Sequence, residues 1–279
     1  MQGKIARGRL LLNLGWSDSI LRLSQMESVL FVTLLLSMAE VSTWSEPPAS
    51  LTLATGEVHV WRLALDQPES VVAEFRATLE AGELERAERF HFEKHRRHFV
   101  VGRGGLRHVL ARYLDVQPEE FRFSYGAYGK PALVSEELRF NMSHSHGLAL
   151  FAVARDRELG VDVEHIRADF ASDDIAQRFF SRVEVAAFNA LSKEEQVAGF
   201  FRCWTRKEAY IKAIGRGLSE PLDAFDVTLA PGEAAALLRA ERGDASRWTM
   251  FDIDVGVDYA GALAAEAPVS DIRLWKVLT

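Results

Sequence analysis

The segment GVDVE, residues 160 to 164, carries two carboxylates one residue apart beside an apolar run. It follows LALFAVAR and reads as a strand. Strand side chains alternate, so Asp162 and Glu164 share one face while Val161 and Val163 turn to the core. Two carboxylates side by side repel unless a cation lies between them or one is protonated. A hard divalent cation such as Mg²⁺ suits them, and it normally also takes water and phosphate oxygens. The plain alternative is a strand end with both acids in solvent, because D-x-E is a weak motif.

A second group lies in FFRCWTRKEAYIKAIGRGLSEPLDAF. On a helix, Trp204, Glu208 and Lys212 fall at i, i+4 and i+8 along one face. Glu208 followed by Lys212 is also the favoured order for a surface ion pair, worth only about 0.3–0.5 kcal/mol. In the functional reading Glu208 completes a metal site and Lys212 reaches a phosphate. A third group is FNMSHSHG, with Ser143, His144, Ser145 and His146. Hydroxyl and imidazole donors in a loop between strands suit a phosphate or ribose; the plain readings are a turn-capping serine and a partly buried histidine. A Ser–His nucleophile pair is disfavoured, since adjacent residues rarely reach triad geometry. The fourth is the stretch from Arg86 to Arg112, with eight Lys/Arg and four His against Glu88 and Glu93. A solvated helical face is its usual meaning, but a basic patch can also hold a polyanion, with glycines around Arg103 admitting a phosphate. Lys130, in a GKP turn stiffened by Pro131, is one more cation. None of these groups decides alone. Together they place cations for several phosphates and three carboxylates for a metal.

The elements that must position them follow from periodicity. EVHVWRLAL (57 to 65) alternates as a strand, and 68 to 90 is mostly helical from Pro68. Residues 93 to 114 place Phe99, Leu106, Val109, Leu110 and Tyr113 at helical spacing. Gly102, Gly104 and Gly105 weaken that helix and mark a close approach by something else. YGAYGKPAL is a turn, LRFNMSHSHG a strand entering a loop, and LALFAVAR a returning strand. Helical segments then end in a long one at 193 to 215. The strands AFDVTLA, RWTMFDIDVGVDYAGALAAE and DIRLWKVL follow. Without regular βαβ alternation the class is α+β, with lobes at 51–158 and 159–279 after an extension at 1–50. No internal repeat is visible in the residues themselves.

The chain has 279 residues, 48% of them hydrophobic and 26% charged, which is ordinary for a soluble protein. A net charge of -7 argues against a nucleic-acid coat protein. The single Cys203 excludes an internal disulfide and fits a reducing compartment, hence the cytoplasm. No Cys/His spacing suggests zinc. SVLFVTLLLSMAEV (28 to 41) follows the basic KIARGR and could pass for a signal peptide. It starts late, is flanked by Glu27 and interrupted by Glu40, and falls short of the roughly 20 apolar residues of a membrane span. The expectation is therefore an upstream extension with Met26 or Met38 as the start, and no membrane partner.

In order and spacing, FNMSHSHG, GVDVE and FRCWTRKEAYIKAIGRGLSEPLDAF resemble the 4′-phosphopantetheinyl transferases of the surfactin-synthetase-activating type. RFHFEKHRRHFVVGRGGLR and YGAYGKPAL add to the likeness, which covers roughly residues 57 to 277. The W-x-x-K-E-A-Y-x-K stretch is its most distinctive part. The resemblance implies a single-chain monomer of two similar α+β lobes related by pseudo-twofold symmetry, with the active site in the cleft between them. It implies Mg²⁺-dependent transfer of the phosphopantetheine arm of coenzyme A to a serine of an apo acyl, peptidyl or polyketide carrier. Adenosine 3′,5′-bisphosphate is the other product. The family's metal ligands match Asp162, Glu164 and Glu208, and its coenzyme A contacts match Lys130, Ser143, His144 and Lys212. Arg86 and Arg103 are further matches on the nucleotide side, and Glu208 and Lys212 carry the catalytic roles, with either Glu208 or a metal-bound water as the base for the carrier serine. Glu83 departs from the pattern, standing about where a lysine can stand in the family. Glu184 resembles another acidic position, of open role. Carriers of this kind are acidic, so docking must use a local basic or apolar patch and weaken with salt.

Two other classes remain compatible with the residues alone. One is a metal-dependent phosphohydrolase or nuclease using the same D-x-E, although no second acidic cluster of the two-metal kind is present. The other is a nucleic-acid-binding module docking through the basic stretch, which the net negative charge disfavours.

Overall fold

Alternation in EVHVWRLA and the unbroken apolar run LALFAVA build the first sheet; the computed structural model describes residues 44–135 and 137–279. The first half runs β2 (Glu57–Ala64), α1 (Glu69–Ala77), α2 (Ala81–Glu88), α3 (Glu93–Ala111), a ribbon of β3 (Phe123–Tyr125) and β4 (Pro131–Leu133), then β5 (Arg139–Ser145) and β6 (Leu148–Ala154). The second half repeats that order. It runs β7 (Leu159–His165), α4 (Asp173–Phe179), α5 (Arg182–Asn189), α6 (Lys193–Ile214), a ribbon of β8 (Phe225–Val227) and β9 (Leu237–Ala240), then β10 (Trp248–Asp252) and β11 (Tyr259–Glu266). Strand pairing repeats too, as β2-β6-β5 and β7-β11-β10, all antiparallel. This is the α+β pair of similar lobes expected. The repeat is one of topology, so different side chains fill equivalent places and nothing repeats in the sequence.

The last strand, β12 (Asp271–Lys276), does not stay with the second sheet. It returns to lie parallel to β2, and β1 (Trp44–Ser45) adds beyond it. The apolar run at 28 to 41 lies outside the described residues. Among those described, no helix is long and apolar enough to cross a membrane.

The two sheets share a core of Val58, Val60, Leu150 and Ala152 from one, and Val161, Val163, Phe251 and Leu263 from the other. The alternate face of the first sheet, with Trp61, Leu63 and Phe151, is covered by Val101, Leu106 and Leu110 of α3. The alternate face of the second is covered by α6, whose Tyr210 and Ile211 share a core with Ala262 and Ala264. Glycines permit both coverings. A Cβ on Gly104 would stand 2.4 Å from Phe75 Cβ of α1. A Cβ on Gly160 in β7 would stand 2.2 Å from the Ala209 carbonyl oxygen and 2.3 Å from the Ala213 nitrogen of α6. Helix α6 therefore rests on β7 through its backbone.

A buried ion pair locks α6 from its other side. Lys207 Nζ lies 2.7 Å from Glu184 Oε1 and donates at 2.7 Å to each of the Leu222 and Phe225 carbonyls. Glu184 also accepts from the Val227 and Ser181 backbone N–H groups, both at 2.8 Å. Burial raises the Glu184 pKa, against the pull of Lys207. All three lysine donors are satisfied, so the cost of burying the pair is offset by its hydrogen bonds.

The backbone contact is testable. Gly160→Ala is expected to lower unfolding free energy by about 1–3 kcal/mol, as overpacking does, read from the urea midpoint. A wild-type midpoint would contradict the contact.

Candidate active site

Strands β5 and β7 belong to different sheets and are not ladder neighbours. Side chains join them instead. Asn141 Oδ1 accepts from the Val161 N–H at 2.9 Å. Ser143 Oγ donates to Asp162 Oδ1 at 2.8 Å, and Ser145 Oγ donates to Glu164 Oε2 at 2.8 Å. Residues 141, 143 and 145 alternate along β5, so one face supplies the whole seam. The FNMSHS serines thus lie within the strand, where a loop was expected; the turn follows at residues 146 and 147. The long apolar partner β6 extends the ladder to Ser145, paired with Leu148.

Helix α6 brings the second half of the site. Lys212 Nζ lies 2.5 Å from Asp162 Oδ1 and 2.7 Å from Ser143 Oγ. The lysine therefore engages the strand carboxylate rather than forming the simple helical pair with Glu208. Asp162 is 2% exposed, which overturns the solvent-facing reading of this residue. Its Oδ2 is buried with no hydrogen-bond partner. Burial and then the charge of Asp162 raise the Glu164 pKa, against the Ser145 hydrogen bond. Burial and then Asp162 push Glu208 up to about 6, with Lys212 opposing and Glu164 adding to the rise.

Three mutually repelling carboxylates, one with an orphaned buried oxygen, form a donor set that a hard divalent cation fits. Among the described residues no three His, Cys, Asp or Glu side chains are gathered closely enough to hold a metal ion as they stand. A cation would have to draw the three carboxylates together, with water and phosphate oxygens filling its other positions.

Two cavities meet here. The larger, about 440 Å³, is lined by Glu83, Arg86, Arg103, Tyr125 and His144 among others. The smaller, about 280 Å³, is lined by Tyr128, Lys130, Glu208 and Lys212 among others. They share Gly129, Pro131 and Met142, so one groove runs from Arg86 to Glu208. His144 stands exposed in this groove, yet the surrounding protein lowers its pKa, and the charge of Lys212 lowers it further. Arg86 is exposed, its guanidinium 5.3 Å from the Phe99 ring centre.

Arg103 and Lys130 are placed differently from free cations. Arg103 is buried, bonded to Glu83 and, at 2.6 Å, to the Tyr125 hydroxyl. Glu83 also binds Arg107 at 2.6 Å, so this departure from the family pattern serves to hold two buried guanidinium groups. Lys130 Nζ lies 2.7 Å from Glu158 and donates to the Ala213 carbonyl at 2.9 Å, tying the β3–β4 ribbon to the end of α6. Of the glycines expected to admit a phosphate, Gly102 lines the larger cavity, whereas Gly104 and Gly105 pack on Phe75 and Leu63. Much of the basic stretch is paired internally, Arg96 with Glu88 and Glu93, and Arg97 with Glu69.

Residues 158–264 match the sequence profile of the 4′-phosphopantetheinyl transferase superfamily, and residues 67–156 match that of the 4′-phosphopantetheinyl transferase N-terminal region. The chain is 45% identical over 215 residues to the 4′-phosphopantetheinyl transferase HetI of Nostoc sp., covering 76% of this chain and 88% of HetI. This chain belongs to the 4′-phosphopantetheinyl transferase superfamily. It is also 30% identical over 195 residues to the transferase Sfp of Bacillus subtilis, covering 70% of this chain and 85% of Sfp. Within this transferase, sequence reasoning missed Gly160 and Lys207 as residues that build the site, and read Ser145 as a donor to phosphate or ribose rather than to Glu164. Gly160 had a readable signal: it shares the strand face of Asp162 and Glu164.

The Glu208 shift has a definite sign. In the metal-free transferase the folded state holds this proton more tightly than the unfolded chain, whose value is near 4.5. Stability therefore falls as pH rises from about 4.5 through about 6, by about 1–2 kcal/mol. In EDTA, Glu208→Gln is expected to be more stable than wild type at about pH 7.5 and equal to it below about pH 4.5, by urea unfolding. Equal midpoints at the higher pH would contradict the assignment.

Proposed function

We propose that this transferase moves the 4′-phosphopantetheine arm of coenzyme A to a serine of an apo acyl, peptidyl or polyketide carrier protein, with Mg²⁺ as its metal and adenosine 3′,5′-bisphosphate as the second product. The observation that carries this reading is the cluster of Asp162, Glu164, Glu208 and Lys212, of which Glu208 and Lys212 line the smaller cavity, in a chain of this family. The nucleotide end of coenzyme A takes the larger cavity, where Arg86 and His144 offer donors to phosphate. Arg103, neutralised by Glu83, shapes that wall rather than supplying a free charge. Lys130 holds the β3–β4 ribbon over the groove, and its aliphatic stem lines the smaller cavity.

The pyrophosphate lies at the junction. Two of the three Lys212 donors reach Asp162 and Ser143, which leaves one for a phosphate oxygen. Asp162, Glu164 and Glu208 would hold Mg²⁺, which when bound neutralises charge on the pyrophosphate oxygens. The carrier serine oxygen forms its bond to the phosphorus on the pantetheine side, and the bond from that phosphorus to the bridging oxygen of the bisphosphate breaks. The serine proton goes to a nearby carboxylate. Glu208, at the edge of the smaller cavity, is the carboxylate we assign to accept it. A cytoplasmic, monomeric enzyme is part of the proposal. The lone buried thiol of Cys203 fits a reducing compartment, and one chain supplies every site residue. So are lobes at 51–158 and 159–279, with β12 returning to the first; the two matched profiles adjoin at residues 156 to 158.

Incubation with coenzyme A, Mg²⁺ and apo carriers of the fatty-acid, polyketide and peptide-synthetase classes tests this by mass spectrometry. At least one carrier is expected to gain the phosphopantetheine mass. Glu208→Ala is expected to slow that gain by about a hundredfold or more while remaining folded. No gain on any carrier, or wild-type rates in the variant, would contradict the proposal.

A further inference from the structure

We infer that Ser145 is a positioning residue for the metal site, holding the Glu164 carboxylate in the orientation that binds the cation. The inference rests on the proposed role of Asp162, Glu164 and Glu208. Ser145 repeats, two residues along the same strand face, what Ser143 does. Ser143 donates to Asp162, and Ser145 donates to Glu164, each at 2.8 Å. The Ser145 hydroxyl has no choice of direction. Its oxygen accepts the His165 backbone N–H at 3.1 Å, so its one proton is aimed at Glu164 Oε2. The carboxylate is thereby tied to a backbone group of its own strand through a side chain of another sheet.

Such a tether matters because Glu164 is otherwise poorly held. Among the described residues no lysine or arginine forms an ion pair with it, and the adjacent Asp162 repels it. Asp162, by contrast, has both Ser143 and Lys212. One hydroxyl is therefore the main restraint on the rotamer of a half-buried, charge-repelled side chain. It leaves the second carboxylate oxygen available for a cation. Partners of ligating carboxylates typically change metal affinity by about 10–100-fold when removed. The sequence singled out Ser145 only as a generic donor for phosphate or ribose. In the structure its proton is directed to a carboxylate instead.

The test compares wild type, Ser145→Ala and Ser145→Thr. Mn²⁺ affinity is measured by loss of the free-ion paramagnetic resonance signal in the presence of coenzyme A, with urea unfolding in EDTA alongside. Ser145→Ala is expected to bind Mn²⁺ about 10–100-fold more weakly with an unfolding midpoint close to wild type. Ser145→Thr, which keeps the hydroxyl, is expected to restore most of that affinity. Affinity within twofold of wild type in Ser145→Ala overturns the inference and leaves the transferase reading intact. Failure of Ser145→Thr to recover affinity also overturns it, because the hydroxyl is then not the determinant. Absence of saturable Mn²⁺ binding by wild type overturns the metal reading itself, and this inference with it.

Discussion

Helix α6 touches strand β7 backbone to backbone at Gly160, and the site exists because of that contact. The atoms that would meet a Cβ belong to Ala209, Lys212 and Ala213, one helical turn apart. Glu208 precedes Ala209 and Lys212 is itself one of the three, so the closest approach of helix to strand is also where both functional side chains leave the helix. Gly160 and Asp162 lie on one face of β7, so the strand offers a flat place for the helix and then a carboxylate within reach of Lys212. Any larger residue at 160 must push the helix away and lengthen every distance in the site together.

The same closeness creates an electrostatic problem that the fold only partly resolves. Lys212 is the cation in direct contact with the carboxylate group, and it engages Asp162. Glu164 and Glu208 remain raised in pKa by burial and then by the charge of Asp162. A protein selected only for stability would not gather these acids, and departures of this kind are expected at functional sites. The supporting structure shows the contrast. Lys207, next to Glu208 in sequence, is fully buried and matched by Glu184 and two carbonyls. Neighbouring residues on one helix thus face a satisfied ion pair on one side and an unsatisfied acidic cleft on the other.

Much of this was legible in the residues, for local reasons. Alternation alone turned Val161 and Val163 inward and put Asp162 with Glu164, and helical spacing put Glu208 with Lys212. Tertiary partners were not legible. Nothing in the basic stretch says that Arg103 and Arg107 are taken up by Glu83, about twenty residues upstream, because that pairing depends on how α2 packs on α3. Lys130 read as a free turn cation, whereas the turn aims it at the C-terminal carbonyls of α6. The repeated topology was legible only through the family resemblance, because it rests on the placing of apolar faces, which many sequences satisfy. Ser145 read as one of several donors, since periodicity gives a side chain's face and not the group that it meets.

The central claim is that Asp162, Glu164 and Glu208 hold a single divalent ion beside the smaller cavity. Crystals of the protein grown with coenzyme A and Mn²⁺, measured for anomalous scattering at the manganese edge, test it most directly. One strong peak within coordination distance of all three carboxylates is the predicted result. A peak elsewhere in the groove, or none despite bound coenzyme A, would contradict it.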